Sequence, residues 1–75
     1  MTTWVEQLSD EDLELLQKLQ RPHTLAELAR QFKQPVVEIE DSLRRIQRIG
    51  LAASFKGQHV ITGKGREILE SFELN

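Results

Sequence analysis

The 75-residue sequence predicts a single, mainly α-helical domain carrying one small β-hairpin. Three observations predict it. Two Ser/Thr-x-x-acid capping boxes each open a segment whose apolar residues fall at helical spacing. A third helical stripe begins after Pro35 and stops at Gly50. Two short β-forming segments flank Lys56-Gly57, just ahead of a last helical stripe. A chain of this length accommodates one domain, residues 1–75, with a modest core.

The first capping box is Ser9 to Asp12, with Leu8 and Leu13 placed as a hydrophobic staple. Leu13, Leu16 and Leu19 line one face, with Leu15 beside them, so the first helix spans about residues 10–20. Arg21-Pro22 stops it, because proline pushes the preceding residue out of the helical region. Thr3 to Glu6 repeats the capping pattern in an N-terminal extension, residues 1–8, and allows a short extra turn. Thr24 to Glu27 is the second box, and Leu25, Leu28, Ala29 and Phe32 make a clean stripe ending near residue 32. Lys33-Gln34 forms a tight turn, and Pro35 suits the first position of the next helix. Val36, Ile39, Leu43 and Ile46 share one face of that third helix, residues 36–49, and Gly50 supplies its left-handed stop. Strands follow over 51–55 and 58–62, then a helix over 64–73 capped by Thr62, with Ile68, Leu69 and Phe72 inward.

Charge is strongly segregated along the chain. The net charge is −2, yet residues 44–66 carry Arg44, Arg45, Arg48, Lys56, Lys64 and Arg66 and no acid. Residues 1–20, by contrast, carry five acids against Lys18 alone. Six bases in an acid-free stretch read either as helix-end decoration or as a surface for phosphates or an acidic partner. With no cysteine, disulfides and thiolate metal sites are excluded. No apolar run is long enough to span a membrane, and Glu6 without a basic lead-in argues against a signal peptide, so a reducing cytoplasm is the expected location. His23 and His59 lack metal-site spacing, the acids at 10–14 lack calcium-loop spacing, and no nucleophile–base pair can be assembled. The expectation is a non-enzyme with no metal and no cofactor.

The run T-L-A-E-L-A-R-Q-F at residues 24–32 resembles the T-x-x-E-L-A opening of helix-turn-helix units. Ile39, Leu43 and Ile46 followed by Ile49-Gly50-Leu51 are similar to the register of their recognition helix. The run I-T-G-K-G-R-E-I-L at 61–69 is similar to the L-T-x-x-G-R-x-x-L segment that follows the wing in MarR- and PadR-like regulators. Together these pieces resemble a winged helix-turn-helix across residues 10–72: helix-turn-helix at 24–49, wing at 51–62, C-terminal helix at 64–73. The resemblance implies transcriptional control by binding double-stranded DNA, commonly as a homodimer.

In that arrangement the third helix enters the major groove, and Gln34, Val37, Glu38 and Asp41 face it. Arg44, Arg45, Arg48, Lys56, Lys64 and Arg66 are the candidate phosphate contacts, with Arg21, His23, Thr24 and Gln34 as lesser ones and His59 on the wing's return strand. Glu40 with Arg44 and Asp41 with Arg45 are also spaced as i, i+4 ion pairs. The wing is short, and its tip offers lysine rather than arginine. Trp4, Val5, Leu8, Phe72 and Leu74 form a candidate patch that either folds back on the domain or meets a dimer mate or partner. The alternative reading is a protein-interaction module on the same scaffold, docking a basic partner through the acidic front of the third helix.

Overall fold

The computed structural model describes residues 8–73. Four helices and a three-stranded sheet follow in the order α1 (Asp10–Lys18), β1 (His23–Thr24), α2 (Leu25–Phe32), α3 (Val36–Arg48), β2 (Ala52–Phe55), β3 (Gln58–Ile61) and α4 (Gly63–Glu73). The sheet is antiparallel throughout, with strand order β1-β3-β2. This is a mainly α architecture with a winged-helix-like layout. The predicted extra turn at residues 3–6, and Trp4, Val5 and Leu74, lie outside the described residues.

Local chemistry sets most of the boundaries. Both capping boxes form: Ser9 Oγ accepts from the Asp12 N–H, and Thr24 Oγ1 accepts from the Glu27 N–H. α2 and α3 end in the same motif. The Gln34 N–H reaches Ala29 O while Lys33 N–H reaches Arg30 O; likewise Leu51 N–H reaches Ile46 O while Gly50 N–H reaches Gln47 O. Its left-handed position falls on Gly50 (φ 83°), as expected, and on Lys33 (φ 56°), which must bear the Cβ crowding that glycine avoids. Pro35 stands one residue ahead of α3 and not inside it; its carbonyl accepts from Glu38 and Ile39.

Three features differ from the sequence-based expectation. A third strand, β1, pairs His23 with His59 and Thr24 with Gln58. Thr24 both caps α2 and pairs in the sheet, because a cap residue already has extended dihedrals (φ −81°, ψ 162°). Val36 is 47% exposed and does not join the core face of Ile39, Leu43 and Ile46; it stands at the first position of the helix. Phe72 is 39% exposed and does not join the buried core.

One core unites the elements. Leu15, Leu16, Leu19, Leu28, Ile39, Leu43, Ile46, Leu51, Ile61 and Leu69 are buried together, and Leu8 packs against them from the N-terminal side. A backbone bond from Ile61 N–H to Leu19 O ties the sheet to the end of α1, and one from Thr62 N–H to Leu51 O closes the base of the hairpin.

Candidate functional site

α3 presents three flanks that the helical period separates. Ile39, Ser42, Leu43 and Ile46 are buried. Val37, Asp41, Arg44 and Arg48 make the outward stripe, all exposed. Glu40 and Gln47 turn toward the hairpin, where they line a cleft of about 180 Å³ with Leu25, Leu43, Arg44 and His59. Gln47 Nε2 and His59 Nδ1 are 3.0 Å apart, so one side-chain bond joins α3 to β3 within this cleft.

The six bases take different places. Arg44 reaches Glu40 at 3.8 Å, with both side chains about half exposed. An ion pair so open to water contributes at most about 1 kcal/mol, so Arg44 is readily released. Arg45 does not pair with Asp41. Its Nη2 instead donates to Oδ1 of Asp12 at 2.9 Å, thirty-three residues away, and lies 3.5 Å from Ser42 Oγ. Asp12 is only 1% exposed, and its other oxygen accepts from the Ser9 N–H, so a carboxylate committed to the α1 cap captures the arginine. Arg48 is exposed, with no carboxylate in ion-pair reach among the described residues. Lys64 folds over the end of α3; its Nζ lies 4.0 Å from where a Cβ on Gly50 would stand. That position places a cation at the negative end of the α3 dipole. Arg66 is two residues further along α4, about 200° around that helix from Lys64, and is exposed.

Lys56 stands apart at the hairpin tip. Strands of four residues put the tip about 13 Å from the sheet's base, where α4 begins. Arg44 and Arg48 thus share the outward stripe of α3 with Asp41, Lys64 lies at the C-terminal end of that helix, Lys56 stands at the hairpin tip, and Arg45 is drawn away to Asp12.

Among the residues expected to face a groove, Val37 is 60% exposed and Glu38 and Asp41 are exposed. Gln34 is half-buried, its amide donating to Glu11 at 3.2 Å, which ties the turn to α1. Arg21 is exposed, and its carbonyl lies 2.8 Å from His23 Nδ1.

Sequence reading missed the pairing of the two histidines. His23 and His59 are directly opposite in the β1–β3 ladder, so their side chains share a face. Only the unforeseen strand β1 brings them together. Burial lowers the His59 pKa below the ordinary 6.5. On acidification the unfolded chain then binds this proton first, and stability falls as pH drops from 6.5 through the folded-state value; above 6.5 the effect is absent. Urea midpoints at pH 8 and pH 5.5 are expected to differ more for the wild type than for His59→Gln, and equal differences would refute the assignment.

No protein-family model and no curated protein matches the sequence. Among solved structures, the chain is similar to the ST1889 protein from the thermoacidophilic archaeon Sulfolobus tokodaii. The two are 26% identical with a TM-score of 0.69, over 95% of this chain and 86% of that one.

Proposed function

We propose that the protein binds double-stranded DNA through the rear of α3 and the hairpin, as a small winged-helix regulator of transcription. The observation that carries this reading is the exposed pair Arg44 and Arg48 on the outward stripe of α3, with Lys64 at the end of that helix and Lys56 at the hairpin tip, within a stretch free of acids from residue 42 to 66. The resemblance of residues 24–32 to the opening of helix-turn-helix units, and of residues 61–69 to the segment after the wing in MarR- and PadR-like regulators, supports the same reading. Arg44 on the helix side of the cleft and Lys56 at the hairpin tip suit a phosphate backbone running between helix and hairpin. Glu38 and Asp41 on the front of α3 repel phosphate, so contacts that position the duplex dominate over base reading.

A titration of labelled mixed-sequence duplex at low salt tests this. Arg48→Glu and Lys56→Glu are each expected to weaken binding about 5- to 10-fold. Glu40→Gln is expected to strengthen it about 3-fold or more, because it removes an acid from the cleft and frees Arg44. Insensitivity to all three substitutions would defeat the proposal.

A second reading draws on a different observation. Val36 and Val37 are exposed beside Glu38 and Asp41, an apolar and acidic patch on the first turns of α3. That composition suits a basic protein partner. On this reading Glu38→Lys with Asp41→Lys abolishes association with the partner, and DNA affinity is absent from the start.

A further inference from the structure

At the hairpin tip, Phe55 is 69% exposed, more than the other exposed large apolar side chains among the described residues. It joins no core, and its cross-strand neighbour Gln58 is exposed too. The turn that carries it is tightly defined. Lys56 (φ 53°) and Gly57 (φ 80°) both occupy the left-handed region, as a two-residue hairpin turn of the primed type requires. Asparagine is the residue that such a turn favours where Lys56 stands; lysine there costs backbone strain. What lysine adds is a cation, and its Nζ lies 5.3 Å from the centroid of the Phe55 ring. The nearest acids in sequence are Asp41 and Glu67, so nothing in this stretch of chain repels an anion from the ring.

We infer that the Phe55 ring is a wedge that stacks at a base step from the minor groove, with Lys56 holding the adjoining phosphate. This rests on the DNA-binding reading above and names how the hairpin engages the duplex. A minor groove about 6 Å wide excludes a two-stranded hairpin, whose strands alone are about 4.8 Å apart before side chains are added; it admits one side chain from the tip. An apolar ring in that position partly unstacks a step, and an ammonium beside it answers the phosphate charge. Unstacking is easiest at pyrimidine–purine steps such as T-A, so the wedge confers a preference for deformable sequence without hydrogen bonds to bases.

The test uses the full chain and a duplex with 2-aminopurine in a T-A step, read by anisotropy for binding and by 2-aminopurine emission for unstacking. Wild type is expected to bind and raise the emission. Phe55→Ala is expected to bind about 5- to 30-fold more weakly and to lose the rise. Phe55→Leu, which keeps an apolar wedge, is expected to retain part of it. Thermal melts establish that the variants are folded, as an exposed side chain allows. Binding by wild type with unchanged emission, or a full rise with Phe55→Ala, overturns the wedge and leaves DNA binding standing. Absence of binding by wild type overturns both.

Discussion

Gly65→Ala is expected to lower the melting temperature by about 10–25 °C, a loss of roughly 3 kcal/mol. A Cβ built on Gly65 would fall onto the Leu51 carbonyl oxygen and lie 2.8 Å from Ile61 Cγ1. The obstacle is backbone, not the flexible end of a side chain, so relief requires α4 to back away from the α3–β2 connection. That connection is also where Thr62 works. Its hydroxyl donates to Gly50 O at 2.6 Å and accepts from the Gly65 N–H at 3.1 Å, capping α4 while fastening it to the end of α3. Displacing α4 therefore breaks the cap and uncovers Leu69 as well. For a domain whose total stability is about 4–11 kcal/mol, the loss is a large fraction. Gly63→Ala is the control. A Cβ there meets nothing within 4 Å, and a thermal melt should show no loss. Equal behaviour of the two variants would mean that the close approach at Gly65 is wrong.

Asp12→Asn is expected to destabilise by about 2–3 kcal/mol, although it changes only one atom. The buried carboxylate accepts from two donors, the Ser9 N–H at 3.2 Å and Arg45 Nη2 at 2.9 Å. An amide offers one oxygen and turns an NH₂ group toward the other donor. The buried NH₂ group is then left facing a donor instead of an acceptor. The same geometry separates the roles of neighbouring arginines. Arg45→Ala is expected to cost stability, about 1–3 kcal/mol after allowance for its 57% exposed side chain, and to change DNA affinity little. Arg48→Ala is expected to do the reverse. Urea unfolding and duplex titration of the two variants give a crossed pattern if Asp12 claims Arg45, and a parallel pattern if it does not.

Much of the architecture was legible because local rules and tertiary demands agree. Ser9, Thr24, Gly50 and Thr62 each satisfy backbone groups within a few residues, so their roles can be read from spacing. The T-G-K-G run at 62–65 carried more than a cap: its second glycine marks a close approach between α4 and the backbone at Leu51, visible only once the helices are packed. Long-range partners were illegible. Arg45 has an acid four residues before it, but the buried Asp12 offers a drier and better-aligned carboxylate than the exposed Asp41. β1 has two residues, too few for any alternation to show, and with it the His23–His59 pairing stayed hidden. Exposure of Val36 and Phe72 was equally invisible, since an apolar residue at the right period reads as core until the packing of the other elements is known.

Ionic strength tests the central claim most directly. Four cations, Arg44, Arg48, Lys56 and Lys64, are assigned to the proposed duplex path, with Arg44 partly engaged by Glu40 and Lys64 engaged within the fold as well. Titrating mixed-sequence duplex across a series of salt concentrations is predicted to give saturable binding whose log–log slope is about −3. A slope near zero, or no binding at about tens of micromolar in low salt, would contradict the claim and favour docking of a protein on the acidic front of α3.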